Sequence, residues 1–193
     1  EACKRHELYV GYHFVPMKDN WHELPAVMAL CTETGVDEIG VLRFVPQGRG
    51  ASNREALELT SWQQRQLLEM VSRLIVKDHK PKLRLGCPFN GIKDLIPIWP
   101  TKRCPAATEM CHILIDGSVA PCSALKWHDS LKGGNVYDLP TARIWSSGLR
   151  AFVSFRSEMN AEYECTAQKL VARGSFSPVT RSVQTISRLP QHK

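Results

Sequence analysis

The stretch Cys104–Cys122, CPAATEMCHILIDGSVAPC, decides how this chain is read. Two cysteines flank what reads as a tight β-hairpin, and Cys111 lies inside its first strand. Cys111 to Ile115 alternates as a strand, Asp116-Gly117 supplies a turn with positive φ, and Ser118 to Cys122 returns. The turn fixes the register, which brings Cys104 and Cys122 to the open end of the hairpin, where both thiolates face one site. Three readings compete: a disulfide, small buried hydrophobes, or ligands of a metal centre.

The chain has seven cysteines, Cys3, Cys31, Cys87, Cys104, Cys111, Cys122 and Cys165. The count is odd and no secretory leader precedes them, so they read as buried, metal-binding or reactive thiols in a reducing cytoplasm. The N-terminus, EACKRHELYVGYHF, has neither an initiator Met nor an apolar leader, and the chain is expected to start inside a longer protein. No run approaches the roughly 18 apolar residues of a membrane span. The formal charge of +6 is uneven: from Thr166 to Lys193 there are five basic residues and no acidic one. A basic, disordered tail is expected there, rather than the folded basic face with interleaved aromatics of a nucleic-acid binder.

Upstream, Leu8 to Val15 reads as a buried strand. A helix opens at Asn20, with Leu24, Val27, Met28 and Cys31 on one face and Gly35 as its stop. Ile39 to Val45 is a second apolar strand, so strand, helix and strand form a βαβ unit with parallel strands. PQGRGASNREALEL reads as a loop, and Thr60 opens the next helix through a capping box with Gln63. That helix turns Leu67, Leu68, Val71, Leu74 and Ile75 inward, Lys82 to Gly86 gives a short strand, and Cys87 to Pro100 is loop. After the hairpin, KGGNVYDLPTARIWSSGLRAFVSFRSE reads as a Gly turn, an extended piece and a helix. The apolar positions of that helix are Ile144, Trp145, Leu149, Phe152 and Val153. His13 and His112 read as structural histidines in strands, and the five tryptophans mostly as core anchors.

The spacing C-x12-G-x4-C over Cys104, Gly117 and Cys122, followed by GGNV, IW and Cys165, resembles the auxiliary-cluster (SPASM) module of radical S-adenosylmethionine enzymes. The resemblance implies a [4Fe–4S] cluster with Cys104, Cys122 and Cys165 as metal ligands; Cys111 has no counterpart and reads as a buried strand residue. The family continues from the third cysteine as C-x2-C-x5-C-x3-C. Here the chain has CTAQKLVARGSFSP, with Gln168, Gly174 and Pro178 at the next three positions. At most three of seven family ligands remain, which implies a degenerate end or a shifted reading frame.

Residues 1–102 resemble the late strands of the family's partial (β/α)6 barrel, whose strand C-termini carry the active site. The family's strand like IGVLRFVP lies against the adenine of S-adenosylmethionine, which carries cofactor contact onto Val45, Pro46 and Gln47. Gly48 and Gly50 let the loop approach a ligand closely, and Arg49 offers a guanidinium for a carboxylate. The radical-generating C-x3-C-x2-C spacing does not occur, so no catalytic residue is assigned and the chain alone is expected to be inactive.

The expectation is therefore an α/β chain in three parts. Residues 1–102 are the end of a radical-enzyme barrel, 103–165 an incomplete auxiliary module of hairpin plus helix, and 166–193 a basic tail. In intact form it would modify a peptide, protein or small-molecule substrate, with no membrane or nucleic-acid partner. The alternative is a non-catalytic relative that binds a peptide or zinc.

Overall fold

The computed structural model describes residues 2–75, 80–86, 89, 95, 104–146, 150–157 and 165–172. The first half is built on three parallel strands, β1 (Gly11–Phe14), β2 (Glu38–Val41) and β3 (Lys82–Leu85), in the order β1-β2-β3. The register sets Phe14 beside Val41 and Val41 beside Leu85, so all three strands end at one level. One-turn helix α1 (Ala2–Arg5) is tied to the opposite end of the sheet: Lys4 Nζ donates to Asp37 at 2.8 Å, and Asp37 also accepts the Val10 N–H at 2.7 Å.

Parallel strands need crossovers, and two helices supply them. Helix α2 (Leu24–Glu33) follows a 3₁₀ turn at Trp21–Glu23 and carries Pro25 in its first turn, where a missing N–H costs nothing. It buries Leu24, Met28 and Cys31 and stops before Gly35, whose φ of 71° ends it as the sequence pattern predicts. Between β2 and β3 lie one-turn helices α3 (Arg49–Ser52) and α4 (Arg54–Leu57) and the long α5 (Ser61–Ile75). The capping box is present: the Gln63 N–H donates to Thr60 Oγ1 at 3.2 Å, and the Thr60 N–H donates to Gln63 Oε1 at 3.0 Å. Leu67, Leu68 and Val71 of α5 pack with Ile39 and Val41 of β2 in the first core.

The structure corrects several expectations here. The parallel α/β arrangement is present; the described strands form an open three-stranded sheet, in which the expected partial barrel is not itself seen. Strand β1 is shorter than expected and mainly exposed; only Phe14 of its four residues is buried, because β1 is an edge of the described sheet. Strand β2 ends at Val41 rather than Val45, and the stretch read as loop holds α3 and α4. Trp62 is exposed and meets Trp21 edge-on at 5.9 Å, so it is no core anchor. The expected 87–100 loop falls mostly outside the described residues, as does the expected boundary near residue 103.

The second half centres on the hairpin β4 (His112–Ile113) and β5 (Val119–Ala120), antiparallel with His112 opposite Ala120. The turn closes through the Leu114 N–H to Ser118 O at 2.8 Å, with Gly117 at φ 77°. The GGNV segment then runs along β5. The Val119 N–H donates to Gly134 O at 2.8 Å, and the Gly133 N–H donates to Val119 O at 2.7 Å. Helices α6 (Thr141–Ser146), α7 (Arg150–Ser157) and α8 (Thr166–Ala172) cover the other side. Ile144, Phe152 and Phe155 are buried in a second core, whereas Val153, expected inside, is exposed. Where one helix was expected, α6 and α7 are separate segments flanking residues 147–149, which lie outside the described set. Helix α8 occupies the start of the expected tail, with Thr166, Ala167 and Leu170 buried; residues 173–193 lie outside the described set.

Replacing Thr60 by Ala removes one half of the capping box, and the expected loss is about 1 kcal/mol in urea unfolding. An unchanged midpoint would mean the α5 terminus is held by packing alone.

Candidate metal centre

The hairpin turn is built to be tight. Asp116 Oδ1 accepts from the Ser118 N–H at 3.0 Å and from the Ser118 hydroxyl at 2.6 Å. These bonds, the hydroxyl's first, hold the Asp116 carboxyl below the usual carboxylate range. Asn135 Nδ2 donates to Asp116 O at 2.8 Å, pinning the GGNV segment across the turn. A Cβ on Gly117 would stand 2.5 Å from Asn135 Oδ1 and 2.6 Å from the Tyr137 ring. Both the positive φ and this crowding require glycine, which explains the central G of the C-x12-G-x4-C spacing.

Cys165 belongs to the buried second core, and Cys104 and Cys122 pack against that core half-buried. Cys165 is buried and begins α8, its carbonyl accepting the Lys169 N–H at 3.0 Å. Cys122 immediately precedes a 3₁₀ turn at Ser123–Leu125. Burial pushes the Cys122 thiol up to about 12, and the charges of Cys165 and Cys104 push the same way. The backbone N–H groups of Ala124 and Leu125 pull against them, without a side-chain hydrogen bond that caps the turn. The three thiols named from sequence therefore border one core, with Cys165 buried and Cys104 and Cys122 half-buried.

By chemical kind this donor set fits a soft metal centre, because thiolates suit iron–sulfur clusters and zinc. By count it is short. Among the described residues no three His, Cys, Asp or Glu side chains stand close enough together to hold a metal ion. Cys111 also packs against this core, half-buried rather than buried as expected. Continuing the hairpin register places it opposite Pro121, and successive strand residues face opposite sides. His13 and His112, read as structural, are exposed.

Of the three residues read from the sequence as cofactor contacts, Val45 and Gln47 end up against this second module. Val45 packs on the second core, Pro46 is buried, and Gln47 Nε2 lies 3.0 Å from His128 Nε2. Gly48 has a φ of 51°, and Arg49 is exposed at the start of α3. Reading the sequence missed His128, a buried histidine in a 3₁₀-rich loop, as well as Arg43 and Gln168. Arg43 Nη1 donates to Gln168 Oε1 at 2.5 Å, and Gln168 Nε2 donates to Glu58 Oε1 at 3.0 Å. No local signal marks these pairs, which are joined only by the fold.

Residues 104–167 match the SPASM family, an iron–sulfur cluster-binding domain. The match gives this part of the chain a SPASM domain, and the chain as a whole is similar to radical S-adenosylmethionine enzymes that carry one. A 53-residue stretch is 38% identical to the pre-heme d1 synthase of Dinoroseobacter shibae, covering 28% of this chain and 13% of that protein. The fold is similar to Streptococcus suis SuiB bound to S-adenosylmethionine, with a TM-score of 0.50 and 16% identity. That match covers 80% of this chain and 37% of SuiB, so the chain spans little more than a third of its solved relative. Among the described residues no helix is long and apolar enough to cross a membrane.

Two outcomes follow from the burial of these groups. In the metal-free chain at pH 8, Cys122 should react with iodoacetamide about tenfold or more slowly than exposed Cys3, because the thiolate is the nucleophile. Equal rates, read by peptide mass spectrometry, would contradict its burial. Burial also holds His128 below its ordinary value of 6.5, favouring the neutral ring in the folded chain. That contribution is complete above pH 6.5 and is lost as pH falls through the lowered value. Unfolding midpoints taken from pH 7.5 to 5 should fall more steeply for the native chain than for His128→Gln; parallel curves would remove His128 from the acid response.

Proposed function

We propose that this chain carries the cofactor-adjacent strands and the auxiliary iron–sulfur module of a radical S-adenosylmethionine enzyme. Its open parallel sheet corresponds to the late strands of a partial (β/α)6 barrel. Cys104, Cys122 and Cys165 are the proposed cluster ligands; what supports this is that all three belong to or pack against the same second core, within the segment that matches the iron–sulfur cluster-binding family. The cluster is of the [4Fe–4S] type, with a fourth ligand from outside the three. When bound, it would supply redox-active iron; the chain's own part would be to provide the three thiolates, of which that of Cys165 is buried.

Val45, Pro46 and Gln47 flank the adenine of S-adenosylmethionine. The side chains of Val45 and Gln47 are engaged by the second module, which leaves the backbone of the segment for the cofactor. None of the 193 residues offers a C-x3-C-x2-C spacing, so radical generation is not assigned to them. The substrate is a peptide, a protein side chain or a small molecule. Residues 1–102, 103–165 and 166–193 remain the proposed divisions, with the Thr166–Ala172 helix now part of the second core.

The decisive measurement is anaerobic iron, sulfide and zinc analysis of the chain beside Cys104→Ser, Cys122→Ser and Cys165→Ser. About four irons and four sulfides per chain, lost in each variant, is the expected result. Zinc in their place, or no metal in any sample, would replace this reading with that of a zinc-holding or metal-free docking module.

A further inference from the structure

Gln168 stands where the auxiliary-module pattern places its next cysteine, three residues beyond Cys165. The structure gives this departure a definite job. The Gln168 amide accepts from Arg43 with its oxygen and donates to Glu58 with its nitrogen. Glu58 is further held by Arg54, whose Nε lies 2.5 Å from Glu58 Oε2. Arg43 also lies over the Phe89 ring, 5.0 Å from its centroid. A thiol, a weak donor and weak acceptor, serves neither neighbour, and a carboxylate serves Arg43 but repels Glu58.

Arg43 belongs to the stretch that leaves β2 at the C-terminal end of the sheet, the end at which ligands bind in parallel α/β folds. Beyond Val41, alternate residues touch the second module: Arg43 meets Gln168, Val45 meets the second core, and Gln47 meets His128. This alternation is what an extended segment lying along a surface produces. A cavity of about 50 Å³ opens at the same place, lined by Arg43, Glu58, Phe89 and Gln168. Cys165 and Gln168 are three residues apart at the start of one helix, hence neighbours on its surface.

We propose that Gln168 is a positioning residue. Where the pattern has a thiolate ligand, this chain has an amide that fastens α8, and with it Cys165, to the exit of β2. The Arg43–Gln168–Glu58 relay thereby sets the path of residues 43–47. The inference deepens the functional reading above, yet its test requires neither metal nor cofactor, so loss of the cluster assignment leaves the test valid.

The test is hydrogen exchange by mass spectrometry on the full metal-free chain. In Gln168→Leu, exchange over residues 42–48 should rise about tenfold while β1 and α5 stay unchanged. The double variant Gln168→Glu with Glu58→Gln rebuilds the relay with acceptor and donor in place and the charge moved along it, and it should restore native protection. An unchanged 42–48 segment in Gln168→Leu would overturn the proposal. Should Gln168→Leu instead loosen the whole chain, the double variant decides: recovery upholds the relay, and continued loosening of 42–48 overturns it.

Discussion

Three parallel strands ending at one level organise everything else in this molecule. Phe14, Val41 and Leu85 are paired across the sheet, so the chain leaves β1, β2 and β3 side by side. The Leu42 N–H donates to Phe14 O at 2.8 Å and the Gly86 N–H to Val41 O at 2.9 Å, carrying the ladder to its last rung. Beyond that rung the backbone is no longer committed to the sheet. Its side chains and peptide groups become available to a second structure, and the second core meets them there. A one-residue slip of β2 would exchange the faces of Arg43, Val45 and Gln47 and undo that meeting.

The second module is held by backbone closure first and apolar packing second. The turn bonds around Asp116 and the GGNV segment fix the hairpin in a region with few regular hydrogen bonds. Phe152 and Phe155 then fill the space beneath it. Arg156 links helix to turn, its Nε donating to Ala107 O at 2.6 Å while its guanidinium lies 5.6 Å from the Trp145 ring centroid. Cys165 is buried in the same core, and Cys104, Cys111 and Cys122 lie half-buried against it.

What could be read from sequence was what lies within a few residues. The Thr60–Gln63 box spans four residues, and the Asp116-Gly117 turn spans two; both are in the structure as their residue types dictate. Parallel pairing followed from the strand–helix–strand order. The cysteine spacing pointed to a module whose family match covers residues 104–167. What could not be read depends on distant partners. Gln47 and His128 are 81 residues apart, and Arg43 and Gln168 are 125 apart. Polar side chains of this kind look solvent-bound until the fold brings them together. The exposed face of β1 was misjudged for a related reason: Tyr12 has the residue type of a buried strand but lies on an edge. The start of the basic tail was misjudged because charge alone hid the short apolar spacing of Ala167 and Leu170.

Two of the polar ties between the halves differ in one respect. Gln168 is an amide between an arginine and a carboxylate, and it has no proton to gain or lose near neutrality. His128 does. One extended segment thus places, four residues apart, a polar contact that includes a titratable ring and a polar contact whose charges are fixed near neutrality.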